Sequence, residues 1–261
     1  MEIDTFNILN NTVQYFSNIG LPVNELKTNF INFTADYRTL SKSTKPSLFL
    51  DEYRLNEVEF TKFLGVYIDN HLDWNIHVDN LCSKLSSALY IIKTISKLNS
   101  QKLALTCYFS YFLSQITYSI MFWGASSSNN LTKILILQKR AIRYITSKKQ
   151  TESCKELFIN LNLLTVPSLY IYETISNNLN SLQYENSHTY CTRHRNTFHK
   201  QHTLKLFETK PAYSAKKLYN HLPTFLKIEP IQNLKRKLKN WLIKKPFYNL
   251  DEFYNENYSK L

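Results

Sequence analysis

The chain has 261 residues, of which 43% are hydrophobic, so it is long enough to bury a sizeable core and its composition argues against general disorder. Three glycines and seven prolines argue against an all-β or loop-rich protein. The formal net charge of +12 favours a polyanion as partner, although a sequence rich in Lys and Asn and poor in Gly also resembles the codon bias of an AT-rich genome.

The charge is distributed unevenly along the chain. Residues 1–80 hold six Lys/Arg against eleven Asp/Glu, residues 81–192 hold eleven against four, and residues 193–245 hold fourteen against two. The last sixteen residues have a net charge of −2. The asymmetry favours contact between the C-terminal two thirds and a polyanion.

The N-terminal segment predicts a small α+β element. Residues 8–19 have the pattern of a short amphipathic helix that ends at Gly20. Residues 28–34 alternate like a strand, residues 35–57 are polar apart from a possible strand at 47–50, and residues 58–69 predict a second strand or a hairpin. Gly65 inside that last segment indicates a bend or the close approach of another backbone.

From Asp73 the apolar residues follow a helical period. The predicted helices are 73–95, an uncharged helix over 101–121, and 129–147. The segment 103–123 has the length of a membrane span, but its Ser, Thr and Gln residues and amphipathic flanks favour a buried core helix. In helix 129–147 six apolar residues are assigned to the core, namely Leu131, Ile134, Leu137, Ala141, Ile142 and Ile145. Its basic surface is formed by Lys133, Lys139, Arg140 and Arg143.

The remaining segments predict further helices. "TESCKELF" starts one, with Thr151 or Ser153 as N-cap, and Pro167 suits the first turn of another that runs to about residue 182. Residues 183–211 are polar and His-rich, and helices 212–221 and 231–243 follow before an acidic, aromatic tail. The C-terminal basic candidates for nucleic-acid binding are Arg193, Arg195, Lys235, Arg236 and Lys237.

Recognisable catalytic or metal-binding patterns are absent from the sequence. It has no Asp-Asp pair, no phosphate-cradling glycine loop and no nucleophile elbow, and four cysteines at long spacings favour reduced thiols over zinc or disulfides. Four of the seven histidines fall within residues 188–202, in basic surroundings that favour a solvated or phosphate-facing loop over a metal site. We therefore assign no metal ligands. The absence of a secretory signal favours an intracellular protein, in cytoplasm or nucleus, with "KRKLKNWLIKK" as a weak basic localisation candidate.

A family resemblance is carried by several motifs in order. "GLPVNELKT" followed by a strand resembles the segment after the catalytic aspartate turn of reverse transcriptases from non-LTR retrotransposons. "KFLGVYIDNHLDWNIHVDNLCSKL" resembles the segment that follows there. "ITYSIMFWG", "LQKRAIRYIT", "LFINLNLLTVPSLYIYE", "RHRN" and "YNHLP" resemble the later part of jockey-like elements, so the resemblance covers nearly the whole chain.

The resemblance implies a domain organisation and several residue roles. Residues 1–72 would be the end of a polymerase palm, 73–182 a thumb-like helical bundle, and 183–261 a basic helical region with an acidic tail. Lys27 matches a lysine near the leaving pyrophosphate, where an ammonium can stabilise a departing phosphate. Leu64 and Gly65 match the hairpin that grips the primer. The basic residues of helix 129–147 would face phosphates without reading bases.

The family's metal-binding aspartates and fingers have no counterpart in the sequence. The complete enzyme would need those aspartates to hold Mg²⁺, so we expect a truncated, inactive reverse transcriptase that carries no cofactor of its own and binds RNA or an RNA–DNA duplex without sequence preference. The alternatives are a basic helical RNA- or DNA-binding module, a membrane-associated protein that uses helix 103–123, and a relic without any partner.

Overall fold

A computed structural model describes residues 2–33, 47–50, 52–98, 100–179 and 210–256 of the chain. The chain folds into two compact units, Met1–Trp74 and Asn75–Leu261, here called unit 1 and unit 2. The described residues are mainly helical with a few two-stranded sheets, which confirms the predicted fold class at that level.

Unit 1 begins with helix α1, Glu2–Asn18, which ends before Gly20 at a φ of +75°. A 3₁₀ turn at Glu25–Lys27 precedes six short strands. These are β1 Asn29–Phe30, β2 Phe49–Leu50, β3 Tyr53–Arg54, β4 Asn56–Glu57, β5 Phe60–Phe63 and β6 Val66–Asp69. The helix predicted over 8–19 therefore starts earlier, and the strand predicted over 28–34 is shorter.

The strands of unit 1 form three separate pairs. β1 pairs with β4 in parallel, β2 with β3 antiparallel, and β5 with β6 antiparallel. A small core lies beside the β2–β3 pair, where Leu48, Leu50 and Leu55 are buried. Leu9 and Val13 of α1 pack against these leucines. The i, i+4 spacing of Leu9 and Val13 gives α1 its core-facing stripe.

The described part of unit 2 consists of helices joined by loops and contains no strand. Its helices are α2 Asn75–Ser96, α3 Gln101–Cys107, a π-helical segment Tyr108–Leu113, α4 Ser114–Thr117, α5 Ile120–Trp123, α6 Ser128–Ile145, α7 Lys155–Asn160, α8 Val166–Asn177, α9 Pro211–Asn220, α10 Thr224–Lys227, α11 Ile231–Lys244 and α12 Leu250–Asn255. Most predicted boundaries agree within three residues, but the helix predicted to reach residue 182 ends at Asn177.

Helices α2 and α6 pack side by side and run in parallel. Asn130 Nδ2 donates to Asn75 Oδ1 over 3.0 Å, and Lys133 Nζ lies 2.8 Å from Asp79 Oδ1. Buried apolar residues at helical spacing line both helices, including Val78, Leu81, Leu85 and Ile92 in α2 and Leu131, Ile134, Leu135, Ala141, Ile142 and Ile145 in α6. Leu137, predicted in this core, is only half-buried, because Leu135 and Gln138 lie closer to the centre of the buried face.

The single uncharged helix predicted over 101–121 is wrong. The segment is divided into α3, the π-helical segment, α4 and α5, because the π turn adds a residue and Ser119 adopts a φ of +56°. Core residues Tyr108, Phe112, Ile116 and Trp123 are buried, as the core interpretation requires, while Phe109, Tyr111 and Phe122 are about half exposed. In the described part of the chain, no helix combines the length and the apolar character that crossing a membrane requires.

The cap predicted for α7 is also wrong. This helix starts at Lys155 with Cys154 at the N-cap and no side-chain capping bond, so neither Thr151 nor Ser153 caps it. Arg143 and Cys154 both contact the Glu152 carbonyl, which fixes the loop before the helix by other means. By contrast, α8 has a side-chain cap, because Thr165 Oγ1 accepts from Ser168 N over 3.3 Å.

Candidate nucleic-acid interface

Lys27 lies in a short turn that the motif residues themselves fix. Asn24 Oδ1 accepts from Lys27 N over 3.2 Å, and Thr28 Oγ1 donates to Asn24 O over 2.8 Å. These local bonds satisfy the turn backbone and leave Lys27 exposed at the start of β1. The Asn and Thr of "NELKT" therefore have a structural explanation, whereas no carboxylate among the described residues pairs with the lysine.

Leu64 and Gly65 form the two-residue turn between β5 and β6. Their φ angles are +47° and +86°, the left-handed values that a tight hairpin turn of this kind requires at both positions. Phe63 pairs with Val66 directly across the turn. Leu64 is 75% exposed and Phe63 is 60% exposed, so the tip presents an apolar surface.

Asp69 holds the segment that follows this hairpin. Its Oδ1 accepts from His71 N at 3.2 Å and Asp73 N at 2.9 Å, and its Oδ2 accepts from Trp74 N at 2.9 Å. The carboxylate thereby stabilises a bend in which Leu72 and Trp74 have positive φ angles. No role was predicted for Asp69, although its position at the end of a strand and before the start of a helix was the available signal.

The basic residues of α6 differ in whether their side chains already make contacts within the fold. Lys133 is paired with Asp79, which raises the pKa of the lysine, mainly through their hydrogen bond. Lys139 Nζ lies 3.4 Å from the centre of the Tyr248 ring, and burial lowers the pKa of this lysine. Arg140 is exposed. Of the four residues assigned to a phosphate-facing surface, Lys133 and Lys139 thus have intramolecular contacts, and Arg143 has one as well.

Arg143 acts as a clamp on the loop that leads to α7. Its Nη2 donates to the Glu152 carbonyl over 2.9 Å, and its Nε donates to the same oxygen over 3.3 Å. Glu152 in turn accepts from Lys149 N at 3.1 Å and pairs with Lys148 at 3.2 Å. The contact orders a turn nine residues away, so the structure gives Arg143 a packing role.

The C-terminal basic residues are divided in the same way. Lys235 and Arg236 are exposed on α11, whereas Lys237 forms an ion pair with Glu229. Arg193 and Arg195 lie outside the described residues. Among the described residues, the predicted candidates that are exposed and have no carboxylate partner are Lys27, Arg140, Lys235 and Arg236.

Gln138, inside the "LQKRAIRYIT" motif, joins three elements within the core. It is fully buried, and its Nε2 donates to Tyr108 Oη and to Leu164 O, both over 2.9 Å. Its Oε1 accepts from Val166 N over 3.0 Å, which satisfies a backbone N–H in the first turn of α8. One amide side chain thus connects α6, the π-helical segment and the start of α8. An isolated glutamine on the apolar face of a helix was the signal for this role.

Gly124, in the "ITYSIMFWG" motif, allows α5 and α8 to approach closely. A Cβ atom at this position would lie 2.5 Å from Ile120 O and 2.9 Å from Tyr170 Cγ, and nearer still to Tyr170 Cδ2. Trp123 beside it is fully buried and donates from Nε1 to Tyr118 O over 3.0 Å. In these two motifs, Gln138, Trp123 and Gly124 therefore serve the packing of unit 2.

A metal site would require clustered oxygen, nitrogen or sulfur ligands. Within the described ranges, no group of three or more His, Cys, Asp or Glu residues is arranged to hold a metal ion. Asp69, the buried carboxylate of unit 1, directs its oxygens to three backbone amides. The described carboxylates therefore do not fit the magnesium site of a polymerase.

Comparison with known proteins gives one informative relationship. No family model matches the chain, and no solved structure matches it. Over 183 residues, which are 69% of this chain, it is 27% identical to a Drosophila melanogaster protein described as "Probable RNA-directed DNA polymerase from transposon X-element". The matched part is only 18% of the length of that relative. The chain thus has a distant similarity to a small part of a protein described as a probable transposon RNA-directed DNA polymerase.

Proposed function

We propose that this chain is a nucleic-acid-binding part of a non-LTR retroelement reverse transcriptase, formed by the end of the palm and a thumb-like helical body. The observation that carries the proposal is the similarity to an RNA-directed DNA polymerase over 69% of the chain. The order of the motifs from "GLPVNELKT" to "YNHLP" supports the assignment to the end of the palm and the thumb.

The charge of the chain supports binding to an RNA or an RNA–DNA duplex. Residues 81–245 hold 25 Lys/Arg against six Asp/Glu, and exposed members of this set lie on α6 and α11. Cations on helix surfaces bind the phosphate backbone and release its counterions, which gives affinity without sequence preference. The ligand is therefore recognised through its backbone.

We further propose that the chain does not extend a primer by itself. Phosphoryl transfer in polymerases requires carboxylates that hold two metal ions about 4 Å apart. The described carboxylates are dispersed, and the most buried of them, Asp69, serves the backbone. Lys27 and the Leu64–Gly65 turn would then assist catalysis only together with a polymerase segment that supplies the metal ligands.

Primer extension on an annealed RNA–DNA duplex with Mg²⁺, with binding followed over a salt series, tests the proposal. We expect binding that weakens steeply with salt and no extension. Extension by the chain alone would overturn the proposed lack of activity and require metal ligands elsewhere. Absence of binding at 50 mM salt would overturn the nucleic-acid-binding function itself.

A second candidate is a basic helical binding module that has no polymerase role. The dispersed carboxylates favour it, because such a module needs no metal site. The two proposals differ when a fingers–palm segment from the related transposon polymerase is added in trans. Extension that depends on this chain supports the reverse-transcriptase part, whereas binding that never supports extension favours the module.

A further inference from the structure

We propose that one surface of α11 makes the main phosphate contacts, and that most of the basic residues of α6 do not. This surface, here called the α11 stripe, consists of Gln232, Lys235, Arg236 and Lys239. The inference rests on the proposed nucleic-acid binding and names the residues and the ligand chemistry of that site. Lys239 was not among the residues that the sequence motifs singled out.

The helix period places the members of the α11 stripe together. They occupy positions i, i+3, i+4 and i+7, which lie on one face of a helix. Leu234, Leu238 and Leu242 occupy the neighbouring face and are buried, which fixes the orientation of α11. All four members of the stripe are exposed, and its three cations lie within about 6 Å of helix length, since each residue advances the helix about 1.5 Å.

The three cations of the α11 stripe are available to an anion. Among the described residues, no carboxylate pairs with Lys235, Arg236 or Lys239. Two nearby lysines differ, because Lys237 within α11 pairs with Glu229 and Lys245, just after the helix, pairs with Glu256. A bound phosphate would therefore gain the full attraction of the stripe.

The cations of α6 are less suited to phosphate. Lys133 has a carboxylate at 2.8 Å, so a phosphate near it would meet a pair without net charge. Lys139 is half-buried against Tyr248, and Arg143 holds the Glu152 carbonyl. Recruiting either would break a contact within the fold. Arg140 is the exposed residue of that set for which no carboxylate partner is found among the described residues.

The chemistry of the α11 stripe selects the backbone of a nucleic acid over its bases. Lysine, arginine and glutamine all donate hydrogen bonds to phosphate oxygens. The stripe contains no aromatic residue on which a base would stack, and Trp241, the aromatic residue of α11, is half-buried. We therefore assign a phosphate-tracking contact with a duplex, of equal strength for different sequences.

The experiment measures the affinity of the full chain for a 20-bp RNA–DNA duplex between 50 and 200 mM salt. The test variant is K235Q/R236Q/K239Q, and the control K133Q/K148Q/K237Q removes three cations that have carboxylate partners. Each lost phosphate contact reduces the slope of log affinity against log salt by about 0.9 in magnitude. Between 50 and 200 mM salt, the fold-loss of affinity should therefore be about 40 times smaller for the test variant than for the wild type. Circular dichroism and urea unfolding establish that both variants remain folded, as surface substitutions should.

The outcomes separate the two proposals. A reduced slope for the test variant with a nearly unchanged control supports the α11 stripe. Equal reductions in both variants, or a reduction in the control alone, would overturn the stripe while the proposed binding function stands. A wild type that does not bind the duplex at all would overturn the binding function and the stripe together.

Discussion

Gln138 is a fully buried polar residue whose side chain bonds to three partners in unit 2. Replacement by leucine would remove the acceptor for Val166 N and the donors to Leu164 O and Tyr108 Oη. A buried polar group without a partner costs about 1–3 kcal/mol, so we expect the free energy of unfolding to fall by about 3–5 kcal/mol. Urea unfolding followed by circular dichroism measures the loss.

Gln115→Leu is the matched control for this substitution, because Gln115 is exposed on the short helix α4. Its effect should lie within about 0.5 kcal/mol of the wild type. A Gln138→Leu variant that is as stable as the control would show that the three partners find other hydrogen bonds, and would contradict the role assigned to this amide.

For Gly124→Ala, the sign of the change in the free energy of unfolding tests whether α5 and α8 approach closely. Its φ of −69° is ordinary for any residue, so alanine would be neutral or stabilising if space were available. The contacts of an added Cβ with Tyr170 and with Ile120 O instead predict a loss of about 1–3 kcal/mol. A double-mutant cycle with Tyr170→Leu, measured by thermal unfolding, should show coupling between the two sites. A stabilised Gly124→Ala variant would refute the close approach.

Because of His77, we expect the stability of unit 2 to depend on pH. Burial, assisted by the positive charge of Lys84, lowers the pKa of His77 from 6.5 to about 4. The unfolded chain therefore binds more protons than the folded chain between these values, and stability falls as the pH drops from about 6.5 to 4. The full effect is on the order of 3 kcal/mol. Urea unfolding at pH 7.5 and pH 5.0 should show a smaller acid-induced loss for His77→Leu than for the wild type, and equal losses would exclude this cause.

At the scale of elements, the β5–β6 hairpin has a turn in which glycine occupies only one of the two left-handed positions. Leu64, at the other, has a φ of +47°, which is strained for a leucine. Asn-Gly is the preferred pair for such a turn, so Leu64→Asn should stabilise the hairpin by about 0.5–1 kcal/mol. Hydrogen exchange of the β5 and β6 amides measures this locally. Faster exchange in the variant would mean that Leu64 makes a contact worth more than its strain.

Leu64→Asn also distinguishes the stability of the hairpin from binding of the primer at its tip. If Leu64 contacts the primer, Leu64→Asn should weaken duplex binding although the hairpin is more protected. Gly65→Ala is the informative companion, because a φ of +86° strains any residue with a Cβ and should lower the protection of both strands.

Elements with a long apolar period could be predicted from the sequence, and elements set by tertiary contacts could not. Helices α2, α6 and α11 follow from buried residues repeated at helical spacing, such as Leu234, Leu238 and Leu242. The break at Ser119 has no local breaker residue and arises where α5 turns to bury Trp123. Similarly, α7 begins at Lys155 because the preceding loop is held by Arg143 rather than by a capping side chain.

For the candidate interface, the sequence could predict which helices carry charge, but not which charged side chains make contacts within the fold. Periodicity places Lys139 and Arg143 outside the apolar stripe of α6, as predicted. However, their long side chains reach the Tyr248 ring and the Glu152 carbonyl, and a one-helix pattern contains no information about residues so distant in sequence. The period likewise shows that Lys239 shares a face with Lys235 and Arg236, but not that this face is exposed and free of carboxylates.

At the scale of the whole molecule, charge distinguishes the two units. Residues 1–80, which include unit 1, hold eleven Asp/Glu against six Lys/Arg, whereas residues 193–245 within unit 2 hold fourteen Lys/Arg against two Asp/Glu. A polyanion is repelled by the first and attracted by the second, and this long-range field acts before any specific contact forms. Binding by the chain alone should therefore be concentrated on unit 2.

Ultraviolet crosslinking to a 4-thiouridine-containing RNA–DNA duplex, followed by peptide mass spectrometry, tests this distribution. We expect crosslinked peptides from residues 75–261, including the α11 segment, and their yield should fall between 50 and 200 mM salt because the attraction is screened. Lys27 and the Leu64–Gly65 turn are the sites that would break this pattern. Crosslinks at both would show that a primer end reaches unit 1 despite its negative charge, and would transfer the main contact of this chain from the helical body to the palm-like segment.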